Sequence, residues 1–280
     1  MGTNPPLSLK HIFYPTDFSL APEISLAHAL KLALVTGARL TIFHVNEDLQ
    51  DTDWLEFPHV RSLLARWGIL PQEGSHQTAS QTGLHIQIIT AYHNDPSAPI
   101  LRYLERYPAD LIVLATHQLG GKPFFQSVAE PIARKAGAMT LFIPPSAPGW
   151  VNPEDGSLRL TSVLMPIDQT PHPQCAIHMM TGLAQSLGCA SLVTTLLYVG
   201  GAEGIPDVDL DPQPGWVWET TNRKGNVVQT ILDYERELDA DLIVMPTQGH
   251  QGFLDALRGS TTERIVREAK CPVLAIPSPP

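Results

Sequence analysis

Ala109-Asp110-Leu111-Ile112-Val113 and Ala240-Asp241-Leu242-Ile243-Val244 are the same pentapeptide, 131 residues apart (240 minus 109). Each copy is a short apolar run that leads to a threonine, Thr116 in the first and Thr247 in the second. Each is then followed by Ser-x-x-Glu, at Ser127 to Glu130 and at Ser260 to Glu263, and these units stand 133 apart (260 minus 127). The chain therefore reads as a duplicated domain, and the two-residue difference falls in the loop between strand and helix. In a parallel α/β fold that loop lies at the carboxyl end of a strand, where ligands bind. The expectation is two halves that share an architecture but not a working site.

Outward from the first copy, the segments on either side alternate between strand and helix. His11 to Pro15 and Leu40 to Val45 read as buried strands, with Glu23 to Val35 between them at helical spacing and Gly37 as its stop. Asp51 to Trp67 reads as helical but interrupted by Pro58. His85 to Thr90 alternates as a strand does, Ala98 to Arg106 and Val128 to Ala136 read as helices, and Leu111 to Ala115 and Met139 to Ile143 as strands. Pro144, Pro145, Pro148, Gly149 and Pro153 then punctuate a candidate linker, which places the two domains at residues 1–147 and 148–280. The order repeats with strands at Ser162 to Pro166, Leu192 to Val199, Trp216 to Thr220, Leu242 to Met245 and Pro272 to Ile276. Helices fall at Gln174 to Leu187, Asn226 to Leu238 and Thr261 to Ala269, and Gly200 to Gly215 reads as a loop in place of a helix. Strand–helix alternation predicts an α/β fold with parallel sheet and helices on both faces. Trp216 and Trp218, two apart on one strand, are expected in the core.

The composition sets limits on function. Hydrophobic residues make up 43% of the 280 and charged residues 16%, which suits packed globular domains. Eighteen Lys and Arg against 28 Asp and Glu give a formal charge of −10 with no basic cluster, which argues against nucleic acid and anionic membrane as partners. The three cysteines, Cys175, Cys189 and Cys271, form no Cys-x-x-Cys pair, so neither a disulfide framework nor a zinc-thiolate site is expected. The reading is of a cytoplasmic protein without membrane spans or a signal peptide.

Two constellations offer chemistry. Pro246-Thr247-Gln248-Gly249, nine residues (His250 to Arg258) and Gly259-Ser260 place a flexible turn after a strand and a glycine at a helix start. Backbone N–H groups there suit a phosphate. A capping box of Ser260 with Glu263 explains the same residues without a ligand. The second constellation is Tyr14-Pro15-Thr16-Asp17 and Met165-Pro166-Ile167-Asp168, an acid just past the first strand of each half. Such a carboxylate accepts from an adenine amino group or a ribose hydroxyl, or caps a turn. Eleven histidines include no metal-ligand spacing. The alternating Asp207, Asp209 and Asp211 lack the glycine and glutamate of a calcium loop. No catalytic residue is assigned.

Pro-Thr-Asp after the first strand, Gly37 to Val45 as the second, Ala-Asp-Leu-Ile-Val, the helix after Gly259-Ser260 and the ending Cys271-Pro272-Val273-Leu274 together resemble the universal stress protein (UspA-like) family, in two tandem copies. The resemblance implies a five-stranded parallel-sheet, adenine-nucleotide-hydrolase-like (Rossmann-like) fold in each copy. It also implies pairing of the copies as in a dimer of single-domain members. Nucleotide-binding members carry Gly, two residues, Gly, nine residues, Gly, then Ser or Thr. The C-terminal copy matches at Gly249, Gly259 and Ser260 but has Pro246 at the first glycine. Carried over, Asp168 would face adenine, Pro166, Ile167, Val199 and Met245 would border the base, and Gly249, Gly259, Ser260 and Thr261 would hold phosphates. The N-terminal copy has Ala115, Gln118 and Gln126 at the glycine positions.

The implied function is a stress-response module that binds ATP, with Mg²⁺, or another adenine nucleotide in its C-terminal domain, with at most slow hydrolysis. The alternative is a structural or interaction module with both sites degenerate. The edges of Met139 to Ile143 and Pro272 to Ile276 offer pairing between domains or between chains as a homodimer.

Overall fold

The computed structural model describes residues 8–16, 23–46, 60–70, 83–116, 118–119, 122–123, 130–144, 147–210, 212–248 and 261–278. They belong to two compact units, one formed by Ser8–Ala138 with Val151–Leu158, the other by Met139–Trp150 with Arg159–Pro280.

The first unit contains, in chain order, β1 (His11–Thr16), α1 (Glu23–Thr36), β2 (Arg39–Asn46), α2 (Val60–Arg66), β3 (Ile86–Tyr92), α3 (Ser97–Arg106), β4 (Leu111–Ala115), the two-residue strands β5 (Gln118–Leu119) and β6 (Lys122–Pro123), and α4 (Glu130–Ala136). Its main sheet is parallel in the order β4-β1-β2-β3. Every residue of β4 and the first five of β1 are buried, as unbroken apolar runs require when both faces of a strand are covered. At the edge, β3 leaves Ile88 and Tyr92 exposed.

Pro144 to Pro153 reads as a linker on its proline and glycine content, yet its described apolar residues Ala147, Trp150 and Val151 are buried. Val151 is fully buried, and residues 151–158 form a hairpin closed by the Val151–Leu158 bridge. The hairpin packs on α1 and α2. Trp67 Nε1 donates to the Pro153 carbonyl at 3.0 Å, Arg66 pairs with Glu154 at 3.0 Å, and the Val151 N–H points at His28 Nε2 at 3.3 Å.

The second unit holds β7 (Met139–Ile143), β8 (Ser162–Ile167), α5 (Gln174–Ser186), β9 (Leu192–Val199), β10 (Trp216–Arg223), α6 (Val227–Leu238), β11 (Leu242–Thr247), α7 (Thr261–Glu268) and β12 (Val273–Pro277). The strand order is β10-β9-β8-β11-β12-β7. Five strands are parallel, as expected of the second copy. The sixth, β7, is the last strand of the first copy, and it runs antiparallel beside β12 with Leu141 opposite Leu274. Asn226 caps α6 by accepting from the Gln229 N–H at 3.2 Å, and Asp239 ends it in the left-handed region.

The loop expected over Gly200 to Gly215 is present apart from one 3₁₀ turn, Ala202–Gly204. β10 is the edge strand of its sheet, and Trp216 and Trp218 are half-buried rather than core residues. The Trp216 indole donates to the Cys189 carbonyl at 2.8 Å.

Candidate functional site

From β8 at the middle of its sheet the chain runs outward to β9 and β10, then returns to β11 on the other side of β8. The strand order reverses between the parallel strands β8 and β11, and adjacent connections leave to opposite sides there. This opens a crevice at the carboxyl ends of the two strands. A pocket of about 280 Å³ lies in it.

The ends of three strands build its walls: Pro166 and Ile167 from β8 with Asp168 just after it, Leu197, Tyr198 and Val199 from β9, and Met245, Pro246 and Thr247 from β11. Val227 and Ile231, one turn apart on α6, add an apolar side, and Thr261 and Thr262 at the start of α7 add hydroxyls. The arrangement is an apolar slot with a few polar groups at its mouth, which is how small-molecule sites are commonly lined. Asp168 is the one formally charged residue among the described lining residues. Its Oδ1 accepts from the Gln169 N–H at 2.7 Å, which fixes the carboxylate at the strand end.

One wall is braced by the loop after β9. A side chain at Gly200 would place its Cβ 2.6 Å from the Tyr198 ring, and one at Gly204 would collide with the Tyr198 hydroxyl. Further along, Gln174 at the start of α5 exchanges hydrogen bonds with the Asp209 backbone at 2.9 Å in each direction, and His172 Nε2 lies 3.1 Å from the Asp207 carbonyl. The acidic loop is thus tied down through its backbone.

Of the residues singled out from sequence, Pro166, Ile167, Asp168, Val199, Met245 and Thr261 meet around this pocket. Gly249, Gly259 and Ser260 lie outside the described residues, as do Asp17, Gln126, Ser127, Asp211 and His250. Pro246, Thr247 and Gln248 of the quoted motif line the pocket too, and Leu197, Tyr198, Val227, Ile231 and Thr262 do so without having been singled out. The i, i+4 spacing of Val227 and Ile231 signals one helix face, but nothing local says which strand ends that face meets.

Nucleophilic chemistry finds no support at the cysteines. Burial pushes all three thiols up from their ordinary value, and the Glu235 carboxylate beside Cys271 pushes that one further. Among the described residues no group of three or more His, Cys, Asp or Glu is placed to hold a metal ion.

Fold and pocket together define a doubly wound α/β protein with an opening at its topological switch point. The sequence profile of the universal stress protein family matches residues 8–144 and 209–277, and the chain belongs to that family. A universal stress protein of Methanocaldococcus jannaschii is 33% identical over 93 residues, 33% of this chain and 55% of that protein. One of Synechocystis is 37% identical over 65 residues, 23% of this chain and 41% of its own length, so the matches span about half of each relative. The crystal structure of a universal stress protein from Archaeoglobus fulgidus shares the fold with a TM-score of 0.58 at 17% identity, covering 95% of this chain and 98% of that one. Among the described residues no helix is long and apolar enough to cross a membrane.

Proposed function

We propose that the C-terminal repeat binds an adenine nucleotide, ATP with Mg²⁺ being the first candidate, and that the protein acts as a sensing or regulatory module of the stress response. The observation that carries this reading is the crevice between β8 and β11, where six of the nine residues carried over from the family motif line one pocket. The apolar wall of Ile167, Leu197, Val199, Ile231 and Met245 suits a purine face, and Asp168 at its mouth suits the exocyclic amine. The start of α7 suits phosphate, through its unpaired N–H groups and dipole. Recognition is the whole of the mechanism in this reading: among the described residues no side chain at the pocket is placed as a general base with a nucleophile beside it, and any hydrolysis would be slow.

Pro246 favours a second reading, an interaction module that binds no nucleotide. It lacks the N–H of the glycine it replaces and stands at the pocket wall. The same reading of the sequence keeps the repeat boundary at 147/148, a cytoplasmic location, and pairing of the repeats or of two chains as proposals. Calorimetric titration with ATP and Mg²⁺, beside a Gly259→Asp variant, decides between the two. Heat of binding in the parent that vanishes in the variant is expected. No heat and no melting shift at millimolar ATP would leave the interaction module standing, and unchanged binding in Gly259→Asp would move the site elsewhere.

A further inference from the structure

We infer that the chain associates with a second copy of itself through the edge of β10, in an antiparallel pairing centred on Thr221. The inference stands apart from the nucleotide reading. β12 already has β7 against its outer side, so β10 is the edge that this sheet leaves open. The strand is eight residues long, Trp216–Arg223, without proline or glycine. An edge of that kind is a template for another strand. Val217 on it is 49% exposed, and its neighbour Val193 on β9 is 36% exposed. The Gly215 carbonyl accepts from the Leu192 N–H at 3.4 Å and the Arg223 carbonyl from the Gly200 N–H at 2.8 Å, which fixes the hydrogen-bond phase. Val217, Glu219, Thr221 and Arg223 therefore turn their backbone groups towards β9, while Trp218, Thr220 and Asn222 turn theirs outward. Among the described residues no backbone group pairs with those three.

Charge then selects the occupant and the register. Residues opposite one another in an antiparallel pair share a hydrogen-bond phase, so a two-fold axis must pass through a residue and not between two. An axis at Glu219 sets that carboxylate against its own copy. One at Thr220 sets Val217 opposite Arg223. An axis at Thr221 pairs Thr220 with Asn222 of the second copy through their outward groups. It also sets Glu219 opposite Arg223 of the second copy, and the reverse, in the non-hydrogen-bonded positions where side chains lie closest. Glu219 is exposed and has no ion pair among the described residues. Arg223 is held on the same face of the sheet, its guanidinium 4.8 Å from the Tyr234 ring centre and its Nη1 donating to the Thr221 hydroxyl at 3.0 Å. Opposite charges four positions apart on one strand are matched by that strand's own antiparallel copy, which is why the partner is this chain.

Sedimentation of the full-length protein tests this. A contact confined to one strand edge belongs to the small, weak class of interfaces, so a monomer–dimer equilibrium is expected between about 10 μM and about 1 mM. Glu219→Arg and Arg223→Glu each set like charges opposite one another, and each should weaken self-association about tenfold. Mixed in equal amounts, the two variants should recover parental dimerisation, because every opposed pair is then of opposite sign. Thr221→Cys gives a readout that does not depend on the charge variants folding. At the two-fold axis it faces its own copy and should form a covalent dimer on mild oxidation, whereas Val217→Cys and the parent should not. A parent that stays monomeric at about 1 mM overturns the inference. So does a dimer that neither charge variant weakens, or one that mixing fails to restore. Covalent dimer forming as readily in Val217→Cys as in Thr221→Cys also overturns it, and moves the contact to another surface, the exposed edge of β3 being the next to examine.

Discussion

The carboxylate of Asp241 holds the start of the strand beside it, its Oδ2 accepting from the backbone N–H of Ser162 at 3.0 Å. The same oxygen accepts from the Thr161 N–H at 2.7 Å and the Thr161 hydroxyl at 2.9 Å. In the first copy, Asp110 Oδ2 does the same for Lys10 and His11, at 2.8 and 2.9 Å. The aspartate of the repeated pentapeptide thus pins the amino end of β8 or β1, at the opposite end of the strands from the pocket. Its recurrence follows from register: one charged acceptor satisfies two N–H groups that the parallel ladder leaves open. Replacing Asp241 by Ala should cost about 1.5–3 kcal/mol of stability, as hydrogen bonds to a charged group do. Denaturant unfolding checks this, and undiminished stability would show the contact to be incidental.

His28 provides a pH dependence. The ring is fully buried, and burial lowers its pKa to about 4, against a smaller opposing effect of its hydrogen bond to Ile24. Nδ1 must donate to the Ile24 carbonyl at 2.7 Å, so Nε2 is the acceptor that faces the Val151 N–H. An unfolded histidine titrates near 6.5, so as pH drops below that value the unfolded chain takes up a proton that the folded chain refuses. Stability should therefore fall by about 3 kcal/mol between pH 6.5 and 4 and level off below, where the folded ring also protonates. Unfolding measured across that range should show the slope flatten in His28→Leu. Identical slopes in parent and variant would assign the acid sensitivity to other groups.

Gly156 tests the hairpin that covers α2. It has φ +68°, and a Cβ there would stand 2.7 Å from Cδ2 of Trp67. Gly156→Ala combines a left-handed alanine with overpacking, and should destabilise the first unit by about 1–3 kcal/mol. Trp67 fluorescence and proteolysis between residues 151 and 158 report whether the hairpin lifts; unchanged emission and cleavage would mean that the turn absorbs the methyl group.

Pro246 is the position at which the nucleotide reading is most exposed to failure. Pro246→Gly restores the missing N–H, so nucleotide affinity should rise about tenfold, the effect of one hydrogen bond to a charged oxygen. A glycine in β11 costs about 0.5–1 kcal/mol of stability in return. Calorimetry that shows no gain would remove this N–H from the account of binding.

If the C-terminal repeat binds an adenine nucleotide as proposed, Asp168 would govern which base is accepted. A carboxylate accepts from the amine of adenine and repels the carbonyl oxygen of guanine, whereas an amide can donate to the latter. Asp168→Asn should lower affinity for ATP and raise that for GTP, moving their ratio by about tenfold. A ratio that stays constant in competition titrations would place the base away from Asp168.

The alternation of strands and helices, the duplication and the loop in place of a helix after β9 were legible because each depends on local periodicity or on comparison of two stretches of one chain. The site was legible in part. Pro166 to Asp168, Val199 and Met245 stand at strand ends, and strand ends follow from where apolar runs stop. Tyr198 and Ile231 could not be read in the same way, since their place at the pocket depends on loop and helix docking over long sequence separation. The two tryptophans of β10 point the same lesson: their spacing fixes a shared face, while burial depends on whether another element covers that face.

The sequence by itself determined that this protein is a parallel α/β chain in two copies, and that the copies differ in the loop after Ala-Asp-Leu-Ile-Val. Runs such as Leu111 to Ala115 and Leu242 to Met245 are short, apolar throughout and set between helical segments, so length and pattern together read as strands buried on both sides. Tertiary structure alone decided that Met139 to Ile143 pairs antiparallel with Val273 to Pro277, that Val151 to Leu158 folds onto α1 and α2, and that Thr247 is buried without a partner. Strand formation is governed by residues a few positions apart. Pairing direction, docking and hydrogen-bond satisfaction are governed by which distant groups share one desolvated space, and the linear order of residues does not carry that information.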